Sequence, residues 1–186
     1  MIVPEIVPGI TASLVRAGIA YMISGSFASA YYGAPRSTQD IDIVIDATPD
    51  QLRAFIHSLP AEQYYVDLDA ALDAYRAKSM FNVIDLSAGW KIDLILRKAR
   101  SFSVEEFRRR EEVDMDGVPL FIVSAEDAII AKLEWSKGSH SRRQIEDVIA
   151  VIRARRDLLD LVYIEKWTEE LGIAAEWNKL RAAAII

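Results

Sequence analysis

At 186 residues, 52% of them hydrophobic, the chain is long enough for one domain with a sizeable core and room for a helical annex. The sequence has no cysteine and two histidines, His57 and His140, which excludes disulfides, thiolate catalysis and zinc–thiolate sites and nearly excludes a multi-histidine metal site. A net charge of −6 argues against an overall electrostatic grip on nucleic acid, although a local basic face is compatible with it.

The first two thirds of the chain alternate between helix and strand patterns. Predicted helices occupy residues 8–18, 27–32, 48–59, 67–77 and 102–110, and predicted strands occupy residues 21–24, 40–46, 80–86, 91–97, 113–116 and 118–123. Thr48-Pro49-Asp50 has the residue types that begin a helix. The turn Ser87-Ala88-Gly89 joins two of the strands, and Asp116-Gly117 is a strong signal for a second hairpin.

From residue 124 onward every pattern is helical. The predicted segments are 125–136, 142–156, 160–171 and 173–183. We therefore expect an α/β (α+β) fold, in which residues 1–123 form a mixed sheet flanked by helices and residues 124–186 form an all-helical C-terminal subdomain. The tryptophans are expected in the core or between packed helices: Trp90, Trp135, Trp167 and Trp177.

Three aspartates on two predicted strands are the main functional signal. In Asp40-Ile41-Asp42 the two carboxylates share one face of the strand, opposite an isoleucine face, because successive side chains alternate. Asp93 lies in Lys91-Ile92-Asp93-Leu94-Ile95, another apolar strand. Aspartate is depleted in strands, so this placement favours a functional role over a solvated strand face or a turn cap.

Three carboxylates that converge on one face predict a divalent-cation site. Mg²⁺ is usually held by one or two carboxylates together with substrate phosphates, and Mn²⁺ is the alternative ion. One or two such ions stabilise the charge that develops on the α-phosphate and on departing pyrophosphate during nucleotidyl transfer. We assign Asp40, Asp42 and Asp93 as metal ligands and catalytic residues, and Asp93 can also take the acceptor's proton.

Gly25-Ser26 lies between a predicted strand and a predicted helix, where backbone N–H groups can approach a triphosphate closely. Alone, this junction would carry little weight, because many strand–helix turns contain glycine and serine. Arg36 and Thr38 lie just before the acid pair, and Arg36 either clamps a phosphate oxygen or makes a surface ion pair. We assign Gly25, Ser26, Arg36 and Thr38 to nucleotide binding.

Together, Gly25-Ser26, the segment from Arg36 to Ile43 and the segment from Lys91 to Ile95 resemble the motifs of the polymerase-β-type nucleotidyltransferase superfamily. More narrowly, the chain resembles the AbiEii-like branch, which includes toxins of bacterial toxin–antitoxin systems. Ser124 to Leu133 is similar to a later segment of that branch, and Arg142 to Val148 to its following helix. The resemblance covers roughly residues 20–155, and it implies a nucleotidyltransferase-type sheet, a Mg²⁺ cofactor and an NTP substrate.

The resemblance also implies two site residues on the annex helices. It places Lys132 facing the nucleotide and Asp147 in the branch's last motif, so both are carried over as nucleotide-site residues, Lys132 also as a catalytic residue. From the residues themselves, Lys132 either contacts the triphosphate as a point charge or extends from the edge of the core. The alternative for Asp147 is an ion pair with Arg143, four residues before it.

Two clusters of basic residues are relevant to whether the acceptor is an RNA. The first comprises Arg97, Lys98, Arg100, Arg108, Arg109 and Arg110, and the second comprises Lys137, His140, Arg142 and Arg143. A solvated surface is the default interpretation of such runs, and an RNA-facing groove is the alternative.

The sequence therefore predicts a Mg²⁺-dependent nucleotidyltransferase that moves an NMP from an NTP to a hydroxyl of an RNA such as tRNA, a protein or a small molecule. A non-catalytic nucleotide-binding or partner-binding member of the same fold is the alternative. The resemblance implies an antitoxin-like partner protein and leaves the base, the acceptor and the oligomeric state open. Because the sequence shows no secretory signal and no apolar run of about 18 residues, we expect a cytoplasmic protein without a membrane segment.

Overall fold

A computed structural model of the chain describes residues 3–35, 37–139 and 141–184. Within these ranges the chain forms nine helices and seven strands. The helices are α1 (Ile6–Arg16), α2 (Gly25–Tyr31), α3 (Pro49–Ser58), α4 (Leu68–Ala77), α5 (Ser101–Arg108), α6 (Ala125–Ser139), α7 (Arg142–Arg155), α8 (Leu161–Glu170) and α9 (Ala174–Ala184). The strands are β1 (Ala20–Ile23), β2 (Asp40–Asp46), β3 (Tyr64–Val66), β4 (Met80–Asp85), β5 (Lys91–Leu96), β6 (Glu111–Met115) and β7 (Val118–Ile122).

The strands form one mixed sheet in the order β3-β4-β5-β2-β1-β7-β6. β2 lies near the middle of this sheet, antiparallel to β1 and parallel to β5. The two predicted hairpins are confirmed, because β4 pairs antiparallel with β5 and β6 pairs antiparallel with β7. The mixed sheet with flanking helices is the fold class expected from the sequence, and the regular elements described after β7 are all helices.

Local sequence signals explain where several elements begin and turn. Thr48 caps α3 with its side chain, Gln51 completes the reciprocal capping box, and Pro49 follows at the start of the helix. The turn between β6 and β7 has positive φ angles at both central residues, +52° at Asp116 and +82° at Gly117. Such angles belong to the tight turns whose twist matches that of a hairpin, and aspartate and glycine adopt them readily.

The alternation in β2 fixes which side of the sheet carries the acids. Ile41, Ile43 and Ile45 are at most 1% exposed and contribute to the core. Burial of each such side chain stabilises the fold by about 1.5–3 kcal/mol. A register slip of one residue would exchange these isoleucines for carboxylates, so the strand is held with its aspartates on the opposite face.

The buried hydrophobic residues of the strands and of the C-terminal helices belong to one continuous cluster. Trp167 and Trp177 are buried in it, and Trp90 packs against it. The prediction for Trp135 is wrong, since this side chain is 66% exposed. The neighbouring residues Leu133 and Ser136 of α6 are buried, so position 135 lies on the outer side of the helix. Across the described ranges, no helix has both the length and the apolarity that a bilayer span requires.

Candidate active site

Asp40 and Asp42 of β2 and Asp93 of β5 lie on the same side of the sheet. In the parallel pairing of the two strands, Asp40 is opposite Lys91 and Asp42 is opposite Asp93. Paired residues on adjacent strands point to the same face, and neighbouring strands are about 4.7–4.9 Å apart. Asp40 is exposed, whereas Asp93 is buried. The structure thus brings the three predicted acids to one region of the sheet.

The turn before α2 is shaped around Asp42. Gly25 has a φ of +60°, and a Cβ atom at this position would lie 1.8 Å from Asp42 Oδ2. No L-residue side chain fits there, because the backbone angle is unfavourable and the space is filled by the carboxylate. The backbone N–H of Ser24 donates to the carbonyl oxygen of Asp42 at 2.8 Å, which ties the turn to β2. The glycine predicted to approach a triphosphate therefore also leaves space for the carboxylate of Asp42.

Two side chains hold the carboxylate of Asp93. Asn82, paired with Asp93 across β4 and β5, donates from Nδ2 to Oδ1. Lys91 donates from Nζ to Asp93 Oδ2 at 3.1 Å, and the same Nζ lies 3.5 Å from Asp40 Oδ1. The Lys91 ammonium therefore bridges carboxylates of both strands.

Lys132 and Asp147 meet in the interface between α6 and α7. Lys132 donates from Nζ to Asp147 Oδ2 and to Gln144 Oε1, each at 2.8 Å. Both members of the ion pair are buried. Lys132 is therefore neither a solvated surface lysine nor a lysine that extends out of the core. The ion pair between Asp147 and Lys132 joins two helices, unlike the pair within one helix that spacing alone suggested with Arg143.

The electrostatics of the site centre on Asp42. Burial raises the pKa of the Asp42 carboxyl, and the neighbouring Asp93 carboxylate raises it further. The positive charge of Lys132 acts in the opposite direction, as does that of Lys91 more weakly. The hydrogen bond to Asp93 raises the pKa of Lys91, so this side chain stays an ammonium ion. A buried carboxyl that ionises unfavourably beside other carboxylates is stabilised by added positive charge.

The donor set suits a hard divalent cation, since three carboxylates from two adjacent strands supply the oxygen ligands that Mg²⁺ prefers. The present arrangement gives the position between Asp40 and Asp93 to the Lys91 ammonium, which stands in for such a cation. In this arrangement, no group of three acidic or histidine side chains in the described part of the chain is positioned to hold a metal ion. The residue types fit Mg²⁺, although the present side-chain positions do not yet form a closed site.

The remaining predicted residues have varied positions. Ser26 is buried in the first turn of α2. Thr38 makes hydrogen bonds of 3.1 Å through Oγ1 to both the N–H and the carbonyl oxygen of Asp40, which positions the start of β2. Arg36 and His140 lie outside the described residues.

Sequence reasoning missed three polar residues that complete the site: Asn82, Lys91 and Gln144. For Lys91 a signal was present, because it precedes Asp93 by two residues on a strand and therefore shares its face. Asn82 and Gln144 become partners through the pairing of β4 with β5 and the packing of α6 on α7. Neither arrangement can be read from spacing along one chain.

A family model described as "Nucleotidyltransferase of unknown function (DUF6036)" matches residues 16–178. An antigenic nucleotidyltransferase-like protein from Paracoccidioides brasiliensis is similar in structure, with a TM-score of 0.57 and 15% identity over 96% of this chain and 89% of that chain. The lincosamide antibiotic adenylyltransferase LnuA, with lincomycin bound, has a TM-score of 0.55 and 13% identity over 80% of this chain and 96% of its own. No protein with curated annotation matches the sequence. At these identities the structural likeness shows a shared fold.

Proposed function

Because the chain belongs to the nucleotidyltransferase family whose model it matches over residues 16–178, we propose that it transfers an NMP from an NTP to an acceptor hydroxyl, with Mg²⁺ or Mn²⁺ as cofactor. The observation that carries this proposal is the pairing of Asp42 with Asp93 on adjacent strands. The backbone of Gly25 lies so close to Asp42 that only a residue without a Cβ atom fits there.

In the proposed nucleotidyl transfer, each group of site residues has its own role. Asp40, Asp42 and Asp93 would hold the metal, which when bound neutralises charge on the α-phosphate and on pyrophosphate. The acceptor oxygen forms a bond to the α-phosphorus as the bond to pyrophosphate breaks, and the hydroxyl proton passes to Asp93. Lys132, whose charge already acts on Asp42, would add positive charge on the side of the C-terminal helices. Gly25 and Ser26 would present backbone N–H groups to the triphosphate, with Arg36 and Thr38 beside them.

The acceptor would approach over the outer strands of the same face. Ile84 pairs with Lys91, and Tyr65 pairs with Ile84, so both lie on the face of Asp93. Tyr65 is 58% exposed and Ile84 is 36% exposed. This half-apolar surface next to the acids favours an acceptor with an apolar part, such as a small molecule.

An RNA acceptor has less support, because much of the first basic cluster is engaged within the protein. The ion pairs of this cluster are Arg97–Asp46, Arg100–Glu134, Arg108–Glu105 and Arg109–Glu126. In the second cluster, Lys137 donates to the carbonyl oxygen of Gly172 and Arg142 pairs with Glu146. Phosphate binding would have to compete with these contacts.

The toxin role and the antitoxin-like partner that the AbiEii-like resemblance implies stay predictions. Co-purification of a partner protein from the native host would test them.

The experiment that tests the proposal is transfer of label from each α-labelled NTP to extract of the native host, separated into small molecules, RNA and protein. We expect Mg²⁺-dependent labelling by wild type and its loss in Asp93→Asn. The matched control is Asp46→Asn, which changes an exposed carboxylate on the same face of β2, paired with Arg97. If wild type binds NTP yet labels nothing in any fraction, the non-catalytic alternative replaces the transferase proposal.

A further inference from the structure

Lys91 occupies the position in which a cation would be expected. Its Nζ lies 3.1 Å from Asp93 Oδ2 and 3.5 Å from Asp40 Oδ1. The pairing of Asp40 with Lys91 across β2 and β5 places the two side chains next to each other, and Asp93 follows two residues later on the same face. The ammonium is thus held between the carboxylates by the register of the sheet and by its own position on β5.

The contact cannot coexist with a divalent ion that uses the same oxygens. Asp93 Oδ1 accepts a hydrogen bond from Asn82 and Oδ2 accepts one from Lys91, so a cation that binds Oδ2 competes directly with the Lys91 ammonium. A divalent cation close to Asp93 Oδ2 and Asp40 Oδ1 would also repel an ammonium group a few ångström away. One positive group must leave when the other arrives.

Lys91 is able to leave. Its side chain is 41% exposed, and a lysine ammonium is a compact charge on a flexible four-carbon stem. Asp93, by contrast, is buried and fixed by Asn82, so it stays in place as the cation changes. The movement required is a change of side-chain rotamer at the open face of the sheet.

We propose that Lys91 is a built-in counter-ion, which holds Asp40 and Asp93 together in the metal-free protein and is displaced by the divalent cation. This inference rests on the proposed function, because it assumes that these acids hold the metal. Two consequences follow. Lys91 weakens metal affinity, since each ion must replace it, and Lys91 stabilises the metal-free fold, since it separates carboxylates that would otherwise repel.

The test is a titration of wild type, Lys91→Met and Lys91→Gln with Mn²⁺ alone. Electron paramagnetic resonance measures the concentration of free Mn²⁺ at each step. Partly exposed ion pairs are individually weak, so loss of the two contacts should tighten Mn²⁺ binding about three- to tenfold. Lys98→Met is the matched control, because Lys98 is an exposed lysine just after the same strand. It removes one positive charge from the same region and should shift affinity by less than about twofold, since solvent screens exposed charges.

The melting temperature is a second measurement, which tests the inference even if a Lys91 variant is less stable than wild type. Without metal, Lys91→Met and Lys91→Gln should melt at a lower temperature than wild type, and Mn²⁺ should raise their melting temperatures by more than it raises that of wild type. Unchanged or weaker Mn²⁺ binding by both Lys91 variants overturns the inference. In that case a loss of binding in Asp42→Asn would leave the proposed metal site standing. If Asp42→Asn binds Mn²⁺ as wild type does, the metal lies elsewhere and both proposals fail.

Discussion

Asp42 packs closely against the turn before α2. Gly25 approaches its carboxylate so closely that a Cβ atom would overlap Oδ2, and the N–H of Ser24 binds its carbonyl oxygen. Burial and the charge of Asp93 both disfavour its ionised form. A residue held in an unfavourable state by surrounding structure is typical of a site where a ligand supplies the compensation.

Gly25→Ala should therefore destabilise the protein by more than a positive φ alone explains. An alanine in this conformation costs about 1 kcal/mol, and overpacking against Asp42 adds about 1–3 kcal/mol. Gly89→Ala is the control, since Gly89 has a φ of +72° and nothing within 4 Å of an added Cβ. Urea unfolding of both variants measures the difference. Equal losses of stability would show that Asp42 is not fixed by Gly25.

At the scale of elements, the interface of α6 with α7 connects the helices to the acids. Lys132 and Asp147 form a buried pair there, and the charge of Lys132 reaches Asp42. Lys132 is thus a structural residue as well as a proposed site residue. Any loss of NTP binding in a Lys132 variant has to be separated from a loss of helix packing.

Lys132→Ala should lower the free energy of unfolding by about 3–5 kcal/mol, because it leaves a buried carboxylate without its ammonium partner. Arg142→Ala, which breaks an exposed pair with Glu146 on α7, should cost at most about 0.5 kcal/mol. Chemical unfolding of the two variants provides the comparison. The double variant Lys132→Met with Asp147→Leu should recover much of the stability while NTP binding stays impaired, and full recovery of binding would remove Lys132 from the site.

Glu106 of α5 predicts a pH dependence in the packing of the helices. Burial, as the largest cause, together with the charges of Asp127 and Glu134 raises its pKa to about 8, and the charge of Arg100 acts in the opposite direction. The unfolded chain has a glutamate pKa near 4.5, so between about pH 4.5 and 8 the native state keeps a proton that the unfolded state releases. The free energy of unfolding should therefore fall as pH rises through this window.

Glu106→Gln should remove that fall, which amounts to roughly 3 kcal/mol between pH 5 and 8. Urea unfolding at several pH values from 5 to 9 measures it. Glu105→Gln is the neighbouring control. The hydrogen bond from Arg108 lowers the pKa of Glu105, so this carboxylate is ionised throughout the range above pH 5. A Glu106→Gln profile parallel to that of wild type would contradict a buried neutral carboxyl.

At the scale of the whole molecule, the site is built by two parts of the chain that share one core. β2 and β5 supply the acids, α6 and α7 supply Lys132 and Asp147, and α2 contacts both helices. Gly33, with a φ of +116°, would place a Cβ atom 2.3 Å from that of Ala154, so the chain after α2 packs directly against α7. The division at residue 123 stays a prediction, with the three aspartates of β2 and β5 before it and the Lys132–Asp147 pair after it.

The sequence predicted the strands and the face of the acids because alternation is a local property. Ile41, Ile43 and Ile45 determine which side of β2 is buried, and the turn at Asp116-Gly117 determines a hairpin. Contacts between elements could not be predicted in the same way. The order of strands in the sheet decides that Asn82 meets Asp93, and helix packing decides that Asp147 meets Lys132.

Metal-dependent NTP binding by the β2 and β5 acids is the central claim, and calorimetric titration of each NTP tests it most directly. Wild type should bind at least one NTP with Mg²⁺ present and lose most of that affinity in excess chelator. Asp42→Asn should show weak binding in both conditions, because this change at a half-buried position removes a proposed metal ligand and leaves the fold intact. Equal NTP affinity with Mg²⁺ and with chelator, or unimpaired binding by Asp42→Asn, would contradict the account.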